Sequence, residues 1–237
     1  MNDWYNLLGL PLWVWLFVFP TCLTLGCLFF SSLMTRLLRP VWKLLDCVYS
    51  VSGIISAVFM CLILLIILAQ MFARWTGIVF EGSTEFAGYA MASTSFFALS
   101  YALGKGSHIR VSIFLNLNLF TAKWLDIFAF FVGSMIATFF ARYAVKTNFM
   151  SVLLNDRTQG QDQIPEALVY ILKMFSTYPK DWASLWMTYE EKWIFTPMWI
   201  PQLSMSIGTT LFAICLWDHL YRMAATGVNP IKGEVLK

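Results

Sequence analysis

Charge is scarce in this chain: Asp, Glu, Lys and Arg make up 12% of its 237 residues, where a soluble domain carries about 25%. With 59% hydrophobic residues, the composition excludes a water-soluble globule and points to an integral membrane protein. The net charge of +3 is small and forms no basic stripe, so nucleic acid is excluded as a partner. Cysteine is odd in number and never spaced Cys-x-x-Cys; Cys22, Cys27, Cys47, Cys61 and Cys215 all lie in or beside apolar runs. They read as free thiols, not as a disulfide framework or a zinc site. The Gly-x4-Gly-Lys-Ser/Thr, His-Glu-x-x-His and Gly-x-Ser-x-Gly patterns are missing. The apolar segments also lack Asp, Glu and His at mid-span, which a proton relay or intramembrane ion site would need. The expectation is a non-enzyme that binds no catalytic residue set, cofactor or metal of its own.

What is present is a series of apolar runs. Five membrane segments are expected: within 4–35, within 47–73, at 86–104, at about 124–147 and at about 198–220. The first is too long and lacks the basic start and cleavage pattern of a signal peptide, so it is read as a retained helix. The third has 19 uncharged residues, roughly 28 Å of helix, about one bilayer core. The fourth is the shortest in its uncharged core, and Arg142 and Lys146 would have to snorkel outward. The fold class expected is all-α: a polytopic bundle of five transmembrane helices with short amphipathic interfacial helices.

The loops alternate in charge. Arg36, Arg39 and Lys43 stand against Asp46; Arg74 stands against Glu81 and Glu85; Lys105, Arg110 and Lys123 stand before Asp126. Residues 148–192 carry more acidic than basic side chains, and the tail carries Arg222, Lys232 and Lys237. Lys and Arg favour the cytoplasmic side. That rule predicts an outside N-terminus, cytoplasmic turns near residues 40 and 110, segment 148–192 outside, and a cytoplasmic C-terminus.

Small residues recur every four positions: Gly133, Ala137 and Ala141; Ser52 and Ser56 with Gly53 and Ala57; Gly88 and Ala92; Ser204 and Gly208. Such stripes let helices approach closely in lipid, within this chain or against a partner. Segment 148–192 predicts two short amphipathic helices. One would be capped by Asp162 or Gln163, with Pro165 in its first turn and Leu168, Ile171, Leu172 and Phe175 on one face. The other would start at Pro179-Lys180-Asp181 and carry Trp182, Leu185, Trp186 and Tyr189. Residues 111–120 are a further candidate, lying flat on the cytoplasmic side.

Two motifs carry more information. Glu85 opens the third segment, and Gly104-Lys105-Gly106-Ser107-His108-Ile109-Arg110-Val111 closes it. Glu85 suits a helix N-terminus or could anchor another subunit, with Arg74 beside it. His108 and Arg110 suit a helix stop at the inner lipid surface or a fixed turn. The second motif, Thr196-Pro197-Met198-Trp199-Ile200-Pro201-Gln202, leads into the last helix, with Gly208 following inside it. In this order the pair resembles the small membrane subunit, of the DctQ type, of tripartite ATP-independent periplasmic (TRAP) transporters.

The resemblance implies a domain plan. Residues 36–147 and 193–222 would form the four-helix family core, residues 1–35 an extra N-terminal transmembrane helix, 148–192 a periplasmic insertion and 223–237 a cytoplasmic tail. It implies a bacterial inner (cytoplasmic) membrane location and two protein partners besides lipid: a large membrane subunit that carries substrate and sodium, and a periplasmic substrate-binding protein that delivers an organic anion. The chain itself would brace the large subunit's scaffold, with sodium bound by that partner. Glu85, His108, Arg110, Gly133, Ala137, Pro197, Trp199, Trp182 and Trp186 are the positions expected to set topology or meet a partner. The alternative reading is a membrane anchor of a redox enzyme, in which His108 and His219 would ligate a b-type haem.

Overall fold

A computed structural model describes residue 4 and residues 6–106, 119–187 and 192–227. His108, Arg110 and most of the 111–120 segment, like the tail beyond 227, lie outside the described residues. The chain opens with a small hairpin, β1 (Asn6–Leu7) against β2 (Leu10–Pro11). A π-helical turn, Val14–Val18, runs into α1 (Phe19–Phe29). Pro20 sits in the first turn of α1, where no amide donor is required. Three long helices follow: α2 (Ser31–Thr76), α3 (Ser83–Gly104) and α4 (Leu119–Leu154). A cap joins α4 to the last helix. It consists of β3 (Gln163–Pro165), α5 (Glu166–Ser176), a 3-10 turn at Pro179–Asp181, α6 (Trp182–Met187) and β4 (Trp193–Phe195). The chain then returns through the bundle as α7 (Trp199–Thr226).

α7 is the hub, packing against α4, α3, α2 and α1, while α2 also packs along α3. The small-residue stripes are spent on these contacts. A Cβ on Gly208 would lie 2.7 Å from the backbone of Phe96, so α3 and α7 touch main chain to main chain there. A Cβ on Gly53 would lie 2.6 Å from the Tyr101 ring, and Ser52 and Ser56 donate hydrogen bonds to the carbonyls of Phe97 and Thr94, 2.6 and 2.9 Å away. Ala137 and Ala141 are buried with Tyr49, Leu103, Ala213 and Leu216, and Gly133 faces Leu216. Gly88 alone of these glycines has open space around it.

α1 lies along the bundle antiparallel to α4. Trp4, ahead of it, sits 5.7 Å from the Arg142 guanidinium, while Leu28 at its other end packs with Ile127, Trp217, Leu220 and Met223. Arg142 is thereby placed over an aromatic face, and Lys146 lies over the Tyr143 ring.

Several expectations change. Residues 36–46 form no turn: they belong to α2, which runs unbroken for 46 residues, about 69 Å. Charge marks where helix leaves lipid, not where helix ends, and the only helix-weakening residue there, Pro40, is accommodated inside α2. The fourth helix is longer at both ends than 124–147. Gln163–Pro165 is a strand paired with Trp193–Phe195, so neither Asp162 nor Gln163 caps α5; Pro165 holds the N-cap position without a side-chain bond.

Among the described residues three helices are long and apolar enough to cross a membrane: Ser31–Thr76, Lys123–Leu154 and Trp199–Thr226. The Val14–Phe29 stretch is shorter. α3 has the length, but Ser, Thr and Gly dilute its apolarity. Within it Ser93, Thr94 and Ser95 each bond the carbonyl four residues back.

Candidate functional site

The end of the bundle where Asp46 of α2 meets the C-terminal turns of α7 holds a partly buried ion cluster. Arg222 Nη2 lies 2.7 Å from Asp46 Oδ1, 2.9 Å from Asp218 Oδ2 and 3.1 Å from the Trp42 carbonyl. Its guanidinium also stands over the Trp42 ring at 5.5 Å. Asp218 is 2% exposed and accepts a further, long bond from the Tyr49 hydroxyl at 3.4 Å. One cation thus ties α2 to α7. No carboxylate or histidine is expected at mid-span; Asp218 and His219 are buried toward the C-terminal end of α7. The Asp218–Arg222 spacing, i to i+4 on one helix, is the signal that could have shown the pair.

His219 turns its Nδ1 to the Cys215 carbonyl at 2.8 Å and stacks on Phe130. This is the bonding of a packed core histidine. His108, the other candidate haem ligand, lies outside the described residues.

The opposite end of the bundle is closed by a second polar lock. Asp162, fully buried, accepts hydrogen bonds from the Tyr89 hydroxyl at 2.7 Å and the Thr158 hydroxyl at 2.9 Å. Its carbonyl accepts from the Thr196 hydroxyl at 2.7 Å and the Thr196 amide at 3.1 Å. Glu85 Oε1 accepts from the Gln161 amide at 3.2 Å, so its partner is this chain's own loop and not Arg74, which is exposed. Gly82 has φ +72°, and a Cβ there would sit 2.8 Å from the Asp162 Cα. The turn before α3 therefore needs glycine both for its conformation and for the close approach. Burial alone would raise the Asp162 pKa, but the hydrogen bonds from Tyr89 and Thr158 outweigh it and hold the carboxyl below its ordinary value of 3.8.

The remaining candidates fall around this lock. Pro197 is buried and bridges to Arg157, and the Trp199 carbonyl accepts from Asn148 at 2.8 Å, tying α7 to α4. Trp182 donates its indole N–H to the carbonyls of Met174 and Thr177 at 3.1 and 3.2 Å, fastening α6 to α5. Trp186 is 45% exposed on α6. Gly133 and Ala137 face α7 of the same chain. No sequence pattern announced Tyr89, Thr158 and Thr196 as one site, because they come from three separate segments.

Apolar clefts remain open between the described helices, and two of them bear on function. One, about 770 Å³, lies between Phe59 and Ile66 of α2, Phe86 and Phe97 of α3, and Ile200 and Ile207 of α7, with Leu168, Ile171 and Leu172 of α5 at its outer edge. The oily face of α5 is therefore aimed at the bundle, except Phe175, which is 87% exposed. The other, about 530 Å³, has α3 and α4 as walls and Thr209, Phe212 and Leu216 of α7 as its floor.

The family model described as "Tripartite ATP-independent periplasmic transporters, DctQ component" matches residues 63–178. The match begins inside α2 and ends inside the cap, so it takes in part of the segment read from sequence as an insertion. Comparison with curated proteins and with solved structures returns no match.

Two outcomes are expected. Arg222→Gln leaves Asp218 buried beside an uncharged partner and should lower stability by about 3 kcal/mol; Arg222→Gln with Asp218→Asn should recover part of that loss in thermal unfolding in detergent. For the cap, a depressed carboxyl pKa means its stabilisation is fully present above pH 3.8 and is lost as the pH falls below that value. Amide exchange across residues 158–163 should be steady above that pH, after correction for intrinsic rates, and accelerate below it. Asp162→Ala should show the accelerated exchange at neutral pH.

Proposed function

We propose, from the match of residues 63–178 to the family model of the DctQ component of TRAP transporters, that the chain is a non-catalytic subunit bound to the large membrane subunit of a sodium-coupled importer of organic anions. In this reading it crosses the bacterial inner membrane five times, with its N-terminus periplasmic and its C-terminus cytoplasmic. α3 and the Val14–Phe29 stretch complete the set of spans, since both lie alongside helices that are long and apolar enough to cross. The cap then faces the periplasm, where the substrate-binding protein docks. Sodium and substrate belong to the large subunit, and this chain braces that subunit's scaffold.

One observation carries the reading: apolar surface far beyond what the chain covers for itself. The most apolar stretch of α2 is only 11% buried. The α3–α4 cleft shows Ile136 and Phe140 at 53% and 64% exposure. Its floor is already formed by α7, so a partner helix laid into it would gain close contact without rearranging the bundle.

Gly133→Leu tests this. A Cβ at Gly133 would sit 3.8 Å from Leu216, ordinary contact, so the fold should tolerate the change while the larger side chain fills the cleft. Co-purification with the large subunit should fall at least about tenfold, equal to about 1.4 kcal/mol, with the melting temperature of the isolated chain unchanged. Undiminished co-purification would remove this cleft as the interface.

A further inference from the structure

The first four turns of α2 carry a pattern that the bundle does not use. Leu33, Leu37, Val41 and Leu44 recur at helical spacing on one face, and all are exposed, at 61%, 65%, 44% and 65%. Arg36, Arg39 and Lys43 recur on the neighbouring face, also exposed, and none has an ion-pair partner among the described residues. Where this arm meets the end of α7, a polar cleft of about 450 Å³ is lined by Ser31, Ser32, Thr35, Arg36, Arg39 and Ala225.

Geometry sets the depth of the arm. Asp46 is tied to Arg222 at one end of the bundle, and residues 47–73 beyond it carry no charge and make a full span. Residues 31–46 therefore lie past the hydrocarbon core, about 24 Å of helix at its boundary. Projecting straight out, the arm would leave four aliphatic side chains in water. Pro40 removes the amide that would bond the Arg36 carbonyl and provides a place to bend.

We propose that residues 31–46 lie in the membrane interface and bind anionic phospholipid. The leucine stripe enters the acyl region, Arg36, Arg39 and Lys43 pair with headgroup phosphates, and the hydroxyl-lined cleft by Ala225 receives one headgroup. Charge complementarity selects the occupant: three cations beside an aliphatic stripe match an anionic lipid surface, whereas a protein helix in the bilayer offers no row of anions at this depth. The identity of the leaflet rests on the orientation proposed above; the lipid preference does not.

The test uses the full chain in nanodiscs of phosphatidylethanolamine with or without phosphatidylglycerol. Native mass spectrometry should show retained phosphatidylglycerol in excess of phosphatidylethanolamine. Arg36→Gln, Arg39→Gln and Lys43→Gln should weaken that preference by about fivefold for each cation removed, with thermal unfolding in zwitterionic detergent unchanged. A fluorophore at Leu37→Cys should be quenched by brominated acyl chains, and one at Arg39→Cys should not. Equal lipid retention by the triple variant overturns the proposal, as does a label at 37 that is as open to water as one at 39. Protection of 37 by the large subunit without acyl quenching would assign the stripe to protein and also overturn it. In closed vesicles, a quencher added to one side reports the leaflet; an arm found on the other face refutes the orientation and leaves the lipid site standing.

Discussion

Arg222 is the point on which the arrangement turns. A guanidinium at the end of an apolar helix is tolerable only with its charge and donors matched. Here two carboxylates and a carbonyl do that from two helices. Because Asp218 is almost wholly buried and Asp46 is half exposed, the cluster has an inside and an outside. In the proposed membrane placement it marks the level at which α2 passes from lipid to interface. Everything above that level on α2 is uncharged up to Arg74, and everything below it is an arm with one oily and one basic side. The length of α2, more than twice a bilayer core, makes sense once this pin divides it into a span and an arm.

The opposite end uses neutral and anionic acceptors in place of a cation. Asp162 collects hydroxyls from α3 and from the cap, and its carbonyl is held by Thr196 just before α7 begins. A short two-stranded pairing brings residues 163–165 beside 193–195. The cap is therefore fixed to the bundle at its base, and the oily face of α5 is turned over the apolar cleft beneath it. Between the two polar ends, helix contact depends on small residues and on hydroxyls that bond their own helix, as lipid requires. Gly53 and Gly208, with Ser52, Ser56 and Ser206, make close contacts within the chain, while bulky aliphatic side chains such as Ile54 and Leu64 face outward.

The membrane class, the helical fold and the approximate position of most apolar segments were legible from composition and period, and the DctQ resemblance from the motif around Glu85–His108, which lies within the matched residues 63–178; the Thr196–Gln202 motif lies beyond them. What was hidden has physical reasons. The charges at Arg36, Arg39, Lys43 and Asp46 looked like a loop because charge density changes there, yet their spacing is compatible with continuous helix, and helix is what forms. Asp162 looked like a helix cap because Pro165 follows it; strand pairing across thirty residues, which local pattern cannot show, turned it inward instead. Glu85 looked free to meet another subunit because its acceptor role is met by a backbone amide, Gln161, that carries no sequence signature.

The central claim is that this chain supports transport without performing it. Uptake into proteoliposomes, with the periplasmic binding protein supplied outside, tests that claim most directly by comparing the large subunit with this chain, the large subunit alone, and this chain alone. The account predicts substrate accumulation only when both membrane subunits are present. Accumulation by this chain alone, or full uptake by the large subunit without it, would contradict the account.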